Sequence, residues 1–245
     1  MRLTRVHVPG PLTGGSRHTL TGDAANHIAR VLRLAAGDPL TVFDGRGGEY
    51  AAHIEALRKG DVVIEVGERS ASDRESPLAL VLAQGVSRGE RMDWVVQKAT
   101  ELGVTRIAPL LTERTVVRLD ARQSERKRQH WQGIAVAACE QCGRNRVPEI
   151  AAPIGLDEFL RPGGEPQATR LLLAATGESG IEALPAPNGT VIVLIGPEGG
   201  LAQSEQRAAL AAGFVAVRLG PRILRTETAA VAALTLLQHR FGDLV

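Results

Sequence analysis

The spacing of apolar residues changes several times along the chain, and each change marks an element. Residues Arg2 to Val8 alternate at period two, the pattern of a half-buried strand. Ala24, Ile28, Val31 and Leu32 then fall on one side of a short helix, Ala24 to Leu34, which Asp23 is placed to cap. Asn26, Arg30 and Arg33 share its polar side. Pro39–Phe43, Glu49–Ile54 and Val62–Val66 read as further strands, the first two joined by a glycine-rich hairpin loop, Asp44 to Gly48. Residues 1–72 therefore read as a small β-barrel unit. From Glu68 to Pro77 the chain is polar and carries no bulky apolar residue, so a linker and domain boundary are expected there, at 73–77.

From Leu78 onward, strands alternate with helices. Leu78–Ala83 is an apolar strand, and Met92, Val95, Val96, Ala99 and Leu102 form a helical stripe that Gly103 stops. A strand at Val104–Leu110 leads to a long helix, Ala121 to Cys142, buried through Trp131, Ile134, Ala135 and Ala138. Strands at Leu171–Ala175, Val191–Ile195 and Val215–Leu219 follow, with a helix at Ser204–Ala212 before the last of them. The pattern predicts an α/β domain with a mostly parallel sheet over residues 78–245. The final helix, about Thr226 to Arg240, has Thr226 as its expected N-cap and Glu227 in its first turn. It is apolar nearly all round, which predicts cover on every side, part of it from a second copy of the chain.

Two loops stand out as candidate chemistry. Ile195-Gly196-Pro197-Glu198-Gly199-Gly200 follows a doubly buried strand, and its glycines would let a ligand approach the main chain at the carboxyl end of a sheet. Leu219-Gly220-Pro221-Arg222-Ile223-Leu224-Arg225 ends the next strand and opens the last helix. If the two strands are neighbours, the loops form two walls of one pocket. The spacing lacks the dinucleotide fingerprint, and Glu198 would sit where phosphate goes, so a cationic or neutral ligand is expected.

Charge is uneven although the net value is only +2. Residues 1–33 carry Arg2, Arg5, Arg17, Arg30 and Arg33 against Asp23 alone, and residues 114–146 carry eight basic side chains against three acidic ones. Such concentrations suit a polyanion, and arginine forks hold phosphate bidentately. The candidate RNA contacts are Arg2, Arg5, Arg30, Arg33, Arg114, Arg118, Arg126, Arg128 and Arg144. No apolar run approaches the roughly 20 residues of a membrane span, so no membrane partner is expected. Met1 to Pro9 contains no long apolar stretch, and two cysteines make no disulfide framework, so a cytoplasmic location is expected. Cys139-Glu140-Gln141-Cys142 has neither a second cysteine pair nor a histidine at ligand spacing, so both thiols read as small packed residues and no metal site is expected. These features alone leave open a non-catalytic RNA-binding assembly protein and a nucleotide-dependent α/β enzyme.

Four segments together resemble the RsmE family, 16S rRNA methyltransferases of the SPOUT class. They are Gln97 to Gly103, Glu140-Gln141 through Arg144 to Pro148, Ile195 to Gly200, and Leu219 to Ala229. The resemblance covers nearly the whole chain, including the N-terminal unit, which is similar to a PUA-type barrel. Two positions depart from the pattern: Arg88 where lysine is usual, and Cys142 where serine is expected. The resemblance implies S-adenosylmethionine as methyl donor and N3 of a uridine, conventionally U1498, as acceptor. It also implies a homodimer, action on 16S rRNA in the small ribosomal subunit, and a trefoil knot around the cofactor. Cofactor contacts carry over to Leu173, Ile195, Gly196, Pro197, Glu198, Gly200, Leu219, Gly220, Leu224 and Thr226. Transfer to N3 requires alignment, loss of the N3 proton and stabilisation of charge on the flanking carbonyl oxygens. Arg225 is the candidate for that stabilisation, helped by Arg144 from a partner chain. Glu198 or Glu227 would take the proton, and a side chain at Gly196 is expected to fill the cofactor's space.

Overall fold

A computed structural model describes residues 4–161 and 167–245, so Arg2 lies outside the described residues. The chain forms two compact units, residues 1–75 with 139–147, and residues 76–138 with 148–245. No described helix is long and apolar enough to cross a membrane.

The first unit is a five-stranded sheet in the order β1-β3-β4-β5-β2. Its strands are β1 Arg5–His7, β2 Arg17–Leu20, β3 Pro39–Phe43, β4 Glu49–Arg58 and β5 Asp61–Ser70. Alternation along β4 and β5 puts Ala52, Ile54, Val62, Ile64 and Val66 into one core with Val6, Leu40 and Val42. The helix expected over Ala24–Leu34 is instead a short α1, Gly22–Asn26, continued by a π-helical turn, His27–Val31. The Leu32 amide reaches the His27 carbonyl, five residues back. The wider turn rotates the expected stripe, so Ala25 and Ile28 are buried while Val31 is 68% exposed.

The polar stretch before residue 77 is not a free tether. Glu68 to Ser70 belong to β5, and the Glu75 carboxylate accepts bonds from Arg144 Nε (2.8 Å) and from the Asn145 and Arg146 amides (both 3.0 Å). Arg5 pairs with Glu49 and donates to the Arg144 carbonyl (3.1 Å) and Asn145 Oδ1 (2.6 Å). Residues 139–147, read from sequence as part of the second domain, therefore belong to the first unit. Arg5 and Arg144 are only 8% and 4% exposed. They are buried against the partly buried carboxylates of Glu49 and Glu75, and a tally of charge along the sequence cannot distinguish them from surface cations.

The second unit holds a seven-stranded parallel sheet in the order β12-β10-β11-β6-β7-β8, with β9 also pairing β7. The strands are β6 Leu80–Gly85, β7 Arg106–Leu111, β8 Glu149–Ile150, β9 Ile154–Gly155, β10 Thr169–Leu173, β11 Val191–Ile195 and β12 Val215–Val217. The helices are α2 Glu90–Glu101, α3 Ala121–Cys142 (which continues into the first unit), α4 Leu156–Phe159, α5 Gln203–Ala211 and α6 Thr226–Phe241. Ala83, Leu110, Leu172 and Leu194 pack on one face with Leu156 of α4 and Ala209 of α5. Alternate positions face the other side, where Gln84 meets Thr226 of α6 and α6 packs on α2. Gln238, 1% exposed, ties these helices down: it donates to the Leu102 carbonyl (2.7 Å) and accepts from Ser76 Oγ (2.7 Å).

Candidate active site

Register places the carboxyl ends of four strands at one edge of the parallel sheet. Ile195 stands opposite Gln84, Leu194 opposite Leu172, and Leu173 opposite Val217. The two glycine loops leave from β11 and β12, which are not neighbours, because β10 lies between them. The sequence expectation of adjacent strands is corrected here. The intervening strand holds the loops two inter-strand spacings apart, about 9.5 Å, and its own end, Leu173 to Thr176, makes the floor. The resulting cavity measures about 650 Å³, within the usual range for small-molecule sites. A second recess of about 120 Å³ shares Leu173, Leu224 and Ala229 with it and adds Leu219 and Gly220. Every residue carried over as a cofactor contact lines one of these two spaces.

The glycine loop is a tight turn in which the Gly200 amide bonds the Pro197 carbonyl (2.8 Å). Gly200 adopts φ +67°, with nothing within 4 Å of an added Cβ, so its need is conformational. Gly196 differs. A Cβ there would stand 2.8 Å from the Leu201 nitrogen and 2.9 Å from the Gly200 carbonyl carbon. The missing side chain makes room for the loop's own backbone rather than for a ligand, contrary to expectation. Gly85 is constrained likewise, since a Cβ would lie 2.4 Å from the Pro197 nitrogen.

Thr226 is the first helical residue of α6, and Arg225 is the N-cap, without a side-chain capping bond. The Thr226 hydroxyl is committed elsewhere. It donates to the Gly196 carbonyl (2.6 Å) and accepts from Gln84 Nε2 (2.8 Å), pinning the helix start to the glycine loop. Gln84 is fully buried, and its Oε1 has no hydrogen-bond partner among the described residues.

Glu198 accepts from the Arg88 amide (2.9 Å) and Arg91 Nη1 (2.7 Å). Burial opposes its ionisation, but these bonds, its own amide and the Arg91 charge outweigh it and hold the carboxyl below its ordinary value. The carboxylate is thus already neutralised, and Arg91, Arg114 and Arg225 line the cavity beside Glu198 and Glu227. The expectation that Glu198 selects a cation by its charge is not carried by this geometry. Glu227 approaches Arg91 at 3.9 Å, and no carboxylate among the described residues pairs with Arg225, whose side chain is exposed at the mouth.

The remaining wall, around Arg114, is positioned by a residue that sequence patterns did not single out. Glu205, 9% exposed, accepts from the Ala202 amide at the start of α5 and from the Glu113 amide in the segment after β7, both at 2.8 Å. That fixes Arg114, which donates to the Gly199 carbonyl (2.9 Å). Because alanine occupies the N-cap, the usual capping-box signature is missing. Gln84, a lone amide closing an apolar strand, carried a signal that could have been read.

The arginines proposed for RNA divide. Arg30 and Arg33 are exposed on and just after the π-helical turn, Arg114, Arg118 and Arg126 are exposed around α3, and Arg128 is held by Glu125. Arg5 and Arg144 are removed by burial, and Arg144 thereby loses its expected role beside Arg225.

Comparison with known proteins places this geometry. Residues 74–238 match a model described as an RNA methyltransferase domain, and residues 20–67 match an RNA methyltransferase PUA domain. The ribosomal RNA small subunit methyltransferase E of Buchnera aphidicola (Schizaphis graminum strain) is 33% identical over 99% of this chain and 98% of its own. The chain belongs to the ribosomal RNA small subunit methyltransferase E family. A member from Neisseria gonorrhoeae, solved bound to S-adenosylmethionine, superposes with a TM-score of 0.93 at 36% identity, covering all of both chains. A Legionella pneumophila protein solved with the same cofactor gives 0.95 at 41% identity, again over the full length of both.

Proposed function

We propose that this methyltransferase uses S-adenosylmethionine to methylate a base of small-subunit ribosomal RNA, with N3 of the uridine conventionally numbered 1498 as the acceptor. The observation that carries the reading is the cavity at the ends of β10 and β11. It has an apolar lining (Leu172, Leu173, Ile195), a pinned glycine loop on one side and, at its mouth, the guanidinium of Arg225, which pairs with no carboxylate among the described residues. The two solved relatives named above hold S-adenosylmethionine, and this cavity has the volume and the exposed main chain to take it. When bound, the donor supplies an electrophilic methyl on a sulfonium. The residues lining the cavity would hold the donor with that methyl turned toward N3, whose proton would have to leave to a base or to solvent.

The chain's contribution is placement and charge. Leu173, Ile195 and Leu224 exclude water from the donor, while the Gly196-to-Gly200 turn, fixed by Thr226 and Arg114, presents main-chain groups to it. Arg225 faces the negative charge that grows on the uracil carbonyl oxygens once N3 loses its proton. Glu198 is held ionised by the Arg88 amide and Arg91 and is a weak base, which leaves Glu227, the other carboxylate lining the cavity, as the candidate proton acceptor. A trefoil path is part of this reading. It is supported by the return of the chain from β12, at the sheet edge, past the end of β10 to Thr226 between Gln84 and Gly196. So is a homodimer, supported by the exposure of Leu236 on the apolar helix α6.

The test is direct. Purified protein, S-adenosylmethionine and small-subunit rRNA lacking the modification are incubated, and the methylated nucleotide is located by mass spectrometry. A single N3-methyluridine at the expected position supports the proposal. Calorimetric donor binding without any transfer to rRNA would instead favour the non-catalytic assembly role.

A further inference from the structure

Beyond the donor cavity, the second unit carries a separate recess of about 460 Å³, lined by Val117, Arg118, Leu119, Gln123, Arg126 and Lys127, with His130 at its margin. It lies between the N-terminal half of α3 and the extended segment that follows β7. Its composition is amphipathic. Val117 and Leu119 supply apolar surface, while Arg118, Arg126 and Lys127 supply positive charge.

The carboxylates nearby are committed to other partners. Glu125 is held in a two-pronged pair by Arg128 (2.7 and 2.8 Å), and Asp93 accepts from Trp131 Nε1 (3.1 Å) and contacts His130 Nε2 (2.9 Å). Asp120 is turned onto the Gln123 amide (2.7 Å). Lys127 lies over the Trp131 ring at 5.9 Å. Among the described residues, Arg118 and Arg126 pair with no carboxylate.

What ties this recess to the reaction is the chain path. Arg114 lines the donor cavity and is anchored on Gly199, while Val117, Arg118 and Leu119 of the same extended segment line the recess. Four residues of extended chain reach at most about 14 Å. The donor cavity and the basic recess are thus two ends of one short, anchored segment.

We propose that this recess is a second RNA subsite, which holds a nucleotide flanking the methylated one on the same strand. Arg118 and Arg126 take the phosphate, and the base lies against Val117 and Leu119. This inference rests on the methyltransferase reading above and adds how the target is chosen. The anchored segment fixes the distance between the flanking nucleotide and the reacting base, so the enzyme registers on backbone position as well as on the base itself.

The experiment compares wild-type enzyme with Arg118→Ala/Arg126→Ala on unmodified small-subunit rRNA. KM for RNA should rise about tenfold, kcat should stay within about twofold, and calorimetric donor affinity should be unchanged. The slope of log KM against log salt should fall by roughly one, since phosphate contacts release counterions. A photo-crosslinker replacing Gln123 should attach to a nucleotide beside the methylated one. Unchanged KM and salt slope in an enzyme that still methylates rRNA would overturn the subsite while leaving the activity standing. A crosslink to a ribosomal protein in place of RNA would overturn it as well, assigning the recess to an acidic protein surface. Wild-type enzyme that methylates no rRNA would instead defeat the parent reading.

Discussion

At Gly196 the space that a side chain would enter is occupied by the loop itself, so Gly196→Val should act through distortion. Forcing atoms against the Leu201 nitrogen is overpacking, worth roughly 1–3 kcal/mol. Donor binding should be lost together with a measurable drop in melting temperature. Loss of binding at an unchanged melting temperature would mean that the valine occupies the cavity instead. Arg225, paired with no carboxylate among the described residues and exposed at the mouth, should lose roughly 10²–10³ in turnover as Arg225→Ala, with a much smaller change in donor affinity. Rates measured under single-turnover conditions check this, and a near-wild-type rate would reduce Arg225 to a helix-start residue. Glu198 is held below its ordinary value by Arg88 and Arg91, so it stays ionised throughout the neutral range. Any limb of the pH–rate profile near neutrality should therefore survive Glu198→Gln unmoved. A limb that vanishes in that variant would identify Glu198 as the proton acceptor after all.

Elements were legible where burial dictates their period. The stripe Met92, Val95, Val96, Ala99 and the runs Val191–Ile195 and Ala121–Cys142 formed the helices and strand that their spacing announced. Strand order was not legible, because no local pattern says that β10 will insert between β11 and β12, and the cavity depends on that insertion. Nor was the π-helical turn after Asn26, whose wider register exposes Val31 against the 3.6-residue expectation. The polar stretch ending at Pro77 misled most. Its charges look solvated, but Glu75 is spent on the buried Arg144, and Glu49, in β4, is fixed the same way by the buried Arg5 with help from Arg74. Burial opposes ionisation of Glu49, yet the two guanidiniums together hold its carboxyl below the ordinary 4.5. A depressed native value means that the unfolded chain binds the proton more tightly. The stabilisation is therefore present in full above about pH 4.5 and drains away as pH falls through the native value. Glu49→Gln should destabilise the protein at pH 7 by about 3 kcal/mol, since it leaves Arg5 buried with its charge uncompensated. It should also flatten the acid limb of stability. Urea midpoints measured at neutral and acidic pH check both parts, and equal losses at the two values would show that Arg5 is satisfied without Glu49.

For the molecule as a whole, the last helix sets the remaining question. One face of α6, through Ala229, Ala230, Ala233, Leu234 and Leu237, is fully used within its own unit, but Val231 and Ala232 are only partly covered and Leu236 is 44% exposed. Leu236 borders a shallow space of about 250 Å³ shared with Ile181, Glu182, His239 and Arg240. A leucine left 44% exposed forgoes roughly 1 kcal/mol of burial that a second copy could recover, and a two-fold contact would recover it twice. If α6 builds the dimer, Leu236→Glu should place two carboxylates in an apolar seam and shift the protein to monomer at micromolar concentration. The donor cavity lies at the opposite end of α6, around Thr226, and is lined by this chain's own residues. Donor binding should therefore persist in the monomer while rRNA methylation falls, because two RNA-contacting surfaces would then act singly. Sedimentation velocity, run beside calorimetry and the transfer assay, separates these effects. A variant that remains dimeric would move the interface to another face, and a wild-type chain that sediments as a monomer would remove it from the enzyme's mechanism.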